Sequence, residues 1–118
     1  MKDFETLADV QQYLRGFAKV RDWEKFHSPK NLAMALSVEA SELMEIFQWL
    51  SEDASFELQE NTREAVASEM ADVLLYLVRM ADQLNIDLLH AATNKAHVNE
   101  ARYPAEQVRG SAKKYNQY

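Results

Sequence analysis

A chain of 118 residues with a formal charge of −6, two Gly, two Pro and no Cys has the length of one domain and the composition of a helical one. Its acidity, with a pI near 5.0, excludes nucleic acid and anionic membrane as bulk partners but not a small phosphate ligand bridged by metal, and the absence of cysteine excludes disulfides and thiolate chemistry. The opening MKDFETLADV has no apolar signal core, and no apolar run reaches the roughly 18 residues of a membrane span, so a cytoplasmic location without membrane or nucleic-acid partners is expected.

In chain order, Asp3 to Arg21 predicts a first helix with Phe4, Leu7, Leu14, Phe17 and Ala18 facing inward and Gly16 a tolerated weak point. The stretch RDWEKFHSPKN then breaks the pattern and presents Trp23, Phe26 and His27 in a loop. Such a loop is either a lid or base-stacking surface, or plain packing and interface. Ser28 as cap and Pro29 in the first turn start the second helix, whose body NLAMALSVEASELMEIFQWL spans Asn31 to Leu50. At about 100° per residue, Leu32, Leu36, Leu43, Ile46 and Leu50 form an apolar stripe, and Glu39 and Glu42 point out of it. Glu45 continues the spacing on another face, as a solvated acid or one that reaches a shared ion across a subunit boundary. Trp49 borders the Glu42 side, where it suits the mouth of a pocket.

A polar connector, Ser51 to Gln59, carries a short turn around Phe56 that Ser51 or Asp53 can cap. The third helix, about Asn61 to Leu84, is long and therefore central. Val66, Val73, Met80 and Leu84 form its stripe, with Glu69 and Asp72 set into it. The Tyr76 hydroxyl either meets a carboxylate or phosphate or only packs, and Arg79 is either a solvated cation or one near the acids. Asn85 reads as a stop and Asp87 as the cap of a fourth helix to Ala101, on which Lys95, Asn99 and Arg102 make a basic and amide ridge. That ridge faces either a phosphate site or solvent. From Pro104 the chain is irregular and basic, so residues 104–118, with Lys113 and Tyr115, form a frayed terminus or an arm that folds over a triphosphate. Four helices on one short chain predict an all-α fold, a single domain over 1–118, assembled into an oligomeric helical bundle: a homodimer or a dimer of dimers.

Two carboxylate pairs, each spaced i, i+3 on helices that face each other, need a reason. Two unit charges about 4 Å apart repel by about 4 kcal/mol at an effective dielectric of about 20, so the cluster requires protons or a cation. Protonation is a poor way to hold four acids together at neutral pH, whereas one or two hard divalent ions with oxygen ligands suit Glu39, Glu42, Glu69 and Asp72. A solvated face is the plainer reading of any single pair. Its repetition inside two apolar stripes shifts the balance towards metal.

The segments FHSPKNLAMALSVEASELMEIFQW, EMADVLLYLVRMADQLNIDL and NKAHVNEARYP together resemble the all-α nucleoside triphosphate pyrophosphohydrolases of the MazG-like and dCTP-pyrophosphatase-like group, over about residues 15 to 115. The resemblance implies that the four acids bind Mg2+, with Mn2+ as a substitute, and that a nucleoside triphosphate such as dCTP or a modified nucleotide is hydrolysed between its α and β phosphates to a monophosphate and pyrophosphate. Non-standard triphosphates would be removed, or the deoxynucleotide pool adjusted. It further implies Trp23 and Trp49 at the base, Asn99 near base or sugar, Tyr76, Lys95 and Arg102 near the substrate, and Lys113 and Tyr115 over the phosphates. Glu39 or Glu42 would be the base, since that pair adjoins the aromatic loop. A carboxylate-bridged di-iron bundle is disfavoured because neither His90 nor His97 follows a Glu by three residues. A helical interaction module with an acidic contact surface is the remaining alternative, and it predicts acids outside the apolar stripes.

Overall fold

The computed structural model describes residues 1–113 and 115–117, with Tyr115 described by its backbone alone. Among the described residues the only repeating structures are helices: α1 (Leu7–Val20), α2 (Pro29–Phe47), α3 (Glu60–Gln83), α4 (Leu88–Arg102), a single-turn α5 (Ala105–Val108), and 3₁₀ turns at Glu24–Phe26, Ala54–Phe56 and Tyr115–Gln117. None of these helices is long and apolar enough to cross a membrane. The all-α expectation with four long helices holds, and the segment expected to be irregular after Pro104 contains α5. The chain forms two compact units, Met1–Asn85 and Ile86–Tyr118.

Local chemistry sets the boundaries. α1 starts four residues later than the periodicity implied, because Thr6 caps it: the Thr6 hydroxyl accepts from the Asp9 N–H, and Asp9 accepts from the Thr6 and Glu5 N–H groups. Ser28 caps α2 by accepting from the Asn31 N–H, with Pro29 at N1. In the connector it is Ser51, not Asp53, whose side chain accepts from Ala54 N–H. Asn85 stops α3 in the left-handed region at φ 57°, and Asp87 caps α4 through the His90 N–H.

Within the first unit, α1 and α2 both pack against α3. Glu39 of α2 lies by Glu69 and Asp72, whereas His27, at the head of α2, bonds to Arg79 and Gln83. α2 and α3 therefore run antiparallel. The apolar residues fully covered are few, Val10, Ala18, Leu32, Val78 and Ala81. Phe4, expected inside, is exposed, and Val10 takes the inward place between Leu7 and Leu14. Large apolar side chains remain uncovered in rows: Met34 and Val38 on α2, and Met70, Leu74 and Leu77 on α3. These rows are spaced i, i+4, i+7, so each is one continuous line along its helix.

Candidate functional site

Antiparallel packing brings the two carboxylate pairs together at mid-length. One oxygen from each of Glu39, Glu69 and Asp72 lies within 4.8 Å of the others, and all three residues are half-buried. Glu42, one turn on from Glu39, is exposed at the edge of this trio. Among the described residues, Glu39 Oε2 and Glu69 Oε2 are buried side-chain oxygens without a hydrogen-bond donor. A buried carboxylate oxygen without a donor loses its hydration for nothing in return, so it marks a place where a cation or proton belongs. The adjoining Glu69 carboxylate, then burial, pushes the Glu39 carboxyl above its ordinary 4.5, with Asp72 adding to the rise and Glu42 opposing it. Glu42 is raised as well, first by Glu39 beside it. An all-oxygen set of converging acids with orphaned lone pairs fits a hard divalent cation.

Two aromatic groups flank the acids along α2. The Trp23 N–H donates to Ala18 O at 2.9 Å, and the Trp23 ring meets Phe17 edge-on at 5.7 Å, which leaves it partly exposed before the head of α2. Phe26 follows it and is open to solvent. Trp49 lies two residues past the other end of α2 and is 88% exposed. The helix between them has 19 residues, about 28 Å at 1.5 Å per residue. Trp23 and Trp49 of one chain therefore stand at opposite ends of the hairpin, too far apart for the two faces of a single base.

Tyr76 is half-buried one turn after Asp72, on the same side of α3. Lys95, Asn99 and Arg102 are exposed on α4 in the second unit, and Lys113 is exposed beyond α5. The side chain of Tyr115 lies outside the described residues.

Arg79 is not the solvated cation that its sequence context favoured. It is only 5% exposed. Its Nε–H donates to His27 Nδ1 at 3.1 Å, and Nη1 donates to Asp82 Oδ2 at 3.4 Å. Asp82 also accepts from Arg15 Nε and Nη2 and from Gln11 Nε2, at 2.6 Å each. Arg15, before the other groups at Asp82, holds the Asp82 carboxyl below its ordinary 3.8, and burial, then the Arg79 cation, lowers His27 from 6.5. Arg15, Arg79 and Asp82, with Lys19, Glu24 and Gln83, line a cavity of about 470 Å³ between α1, the loop and α3. Arg79 and Asp82 are one turn apart on α3, but their other partners, Gln11, Arg15 and His27, are 52 to 71 residues away in sequence, where no local spacing announces them.

The model of the MazG-like family matches residues 34–117. dCTP pyrophosphatase 1 of Rattus norvegicus is 45% identical over 93% of this chain and 66% of its own length. The Homo sapiens dCTP pyrophosphatase 1 is 41% identical over 95% of this chain and 67% of its own. The chain thus spans about two thirds of the curated relatives it matches. A crystal structure of a pyrophosphatase from Archaeoglobus fulgidus superposes with a TM-score of 0.80 at 40% identity, covering 88% of this chain and 97% of that one. A helical hairpin with converging acids, a family model over most of the chain and similarity above 40% to these relatives agree: the chain belongs to the MazG-like family.

Proposed function

We propose that this chain is a nucleoside triphosphate pyrophosphohydrolase, acting on deoxynucleotides such as dCTP or on modified nucleotides. The carrying observation is the trio Glu39, Glu69 and Asp72 with its two donorless buried oxygens. The similarity to dCTP pyrophosphatase 1 and to the archaeal pyrophosphatase supports the substrate class and the bond cleaved. Glu39, Glu69 and Asp72 would hold the ion, with Glu42 as a fourth carboxylate at the open edge. Mg2+ matches a small all-oxygen site, and Mn2+ would substitute. When bound, the ion offsets the negative charge of the triphosphate oxygens.

In the reaction, a water oxygen bonds to the α phosphorus as the bridge to the β phosphorus breaks, giving a monophosphate and pyrophosphate. The water loses a proton to a carboxylate. Glu42, beside the trio yet open to solvent, suits that role, and Glu39 is the second candidate. Trp23 would stack on the base. Tyr76, Lys95, Asn99, Arg102, Lys113 and Tyr115 are assigned to sugar and phosphates on the strength of resemblance.

The separation of Trp23 from Trp49 favours a homodimer or a dimer of dimers in which Trp49 serves the site of a second copy. The uncovered rows Met34 and Val38, and Met70, Leu74 and Leu77, are the apolar surface such a copy would cover.

Incubation with a panel of standard and modified NTPs and dNTPs plus Mg2+, followed by chromatography, tests the reaction. Monophosphate with pyrophosphate is expected, and diphosphate with orthophosphate, or no product from any nucleotide, sinks the proposal. Trp49→Ala is expected to raise KM for the preferred nucleotide about tenfold, the scale of one lost base–aromatic stack, with a smaller change in kcat. An unchanged KM would remove Trp49 from the base site.

A further inference from the structure

The loop that carries Trp23 is held from α3 by two bonds, both to His27. Arg79 Nε–H donates to the ring Nδ1 at 3.1 Å, and Gln83 Nε2 donates to the backbone carbonyl at 2.7 Å. His27 is thus neutral, with its proton on Nε2. Inside the loop His27 N–H donates to Glu24 O and Phe26 N–H to Trp23 O, closing one turn that contains both His27 and Trp23, and Asn31 Nδ2 donates to Phe26 O. Trp23 is held on its other side by α1, through Ala18 O and the Phe17 ring, so the turn between it and His27 is pinned from both helices.

α3 carries this anchor on the same side as the acids. Asp72, Tyr76, Arg79 and Gln83 fall within about 60° of arc, and Arg79 lies about 10 Å along the axis from Asp72. That is about the distance from the phosphates of a nucleotide to its base. One rigid helix thereby sets the spacing between the acid cluster and the aromatic loop.

We infer that Arg79 is a positioning residue: through His27, and together with Gln83, it holds the Trp23 loop in register with the acid cluster and so sets the affinity for the nucleotide without touching the phosphates. The inference rests on Trp23 being the base-stacking residue of the proposed hydrolase.

The charged groups around His27 are Arg79 and, behind it, Asp82 on α3, and Glu24 on the loop; Arg15 and Lys19 of α1 line the adjoining cavity. A protonated His27 cannot accept from Arg79, so the anchor breaks in acid. Burial and the Arg79 cation place that break below the ordinary 6.5 of histidine.

His27→Leu removes the acceptor, and His27→Asn keeps an amide oxygen near the position of Nδ1. With dCTP and Mg2+, His27→Leu is expected to raise KM about tenfold, the scale of a lost hydrogen bond to a charged group, while kcat stays within about twofold. His27→Asn should restore KM. As the pH falls below 6.5, KM should rise more in the wild type than in His27→Asn, which has no ring to protonate. In a Trp49→Phe background, where Trp23 is the one indole, its emission should shift in His27→Leu and return in His27→Asn. A KM indifferent to His27→Leu, or a wild-type KM whose acid limb matches that of His27→Asn, overturns the inference even when dCTP is hydrolysed. Should His27→Leu not fold, the His27→Asn pH profile decides alone. A wild type that hydrolyses no nucleotide instead overturns the hydrolase proposal, and this inference with it; the Trp23 emission then still shows whether His27 holds the loop.

Discussion

Glu39→Gln is expected to lower turnover by about a thousandfold, the scale of several kcal/mol of charge stabilisation lost from a metal-assisted transition state. The same substitution should raise the melting temperature of the protein in EDTA. Glu39 is crowded by the Glu69 carboxylate and has an oxygen without a donor, so an uncharged amide relieves repulsion that the metal-free fold must tolerate. Wild-type protein should melt higher in Mg2+ than in EDTA, because a ligand that binds only the folded state stabilises it by mass action. Glu39→Gln should show little of that gap. The pH dependence has a definite sign: Glu39 and Glu42 are raised above 4.5 in the fold, so their contribution is most favourable below 4.5 and is lost as pH rises through the raised values. Calorimetry with and without Mg2+, alongside dCTP turnover, checks all of this. A Glu39→Gln protein that unfolds in EDTA would make the acid structural, and one that keeps its activity would remove it from the site.

The second large effect is on stability. Asp82→Ala is expected to cost about 3 kcal/mol, because it leaves the buried Arg79 guanidinium without its counter-charge. The Asp82 side chain is 7% exposed, and the Arg79 side chain 6%. Arg15, on the other side of the pair, is 57% exposed, so Arg15→Ala should cost clearly less than Asp82→Ala. Urea midpoints at neutral pH compare the two, and equal losses would mean that the surface ion pair, not the buried charge, sets the cost. Asp82 is held below 3.8 and His27 below 6.5. Their stabilisation is present above those values and lost as pH falls, opposite in sign to the acid cluster. Metal-free protein should therefore lose stability towards acid through Asp82 and His27, and towards neutral pH through Glu39 and Glu42 on α2.

Much of this was legible without coordinates, where the signal is local. Ser28 with Pro29, and Asp87, mark helix starts because a side-chain oxygen meets an N–H three residues on, within one turn. Asn85 marks a stop because its side chain tolerates positive φ. The start of α1 carries the same kind of signal, Thr6 and Asp9 in a capping box, while Phe4 extends the apolar period three residues beyond the helix end. The two acid pairs were visible because i, i+3 spacing fixes a shared face before any tertiary contact forms.

The helical class, most helix ends and the face shared by each carboxylate pair follow from interactions within about one turn. That Glu39, Glu69 and Asp72 converge while Glu42 stays at the edge depends instead on the rotational register of α2 against α3, which forms only on packing. Packing also buries Arg79 between His27 and Asp82. A cation in an amphipathic helix looks solvated until its partners are known; Asp82 lies one turn on in the same helix, but His27, and the Arg15 that shares Asp82, meet it only when the helices have packed.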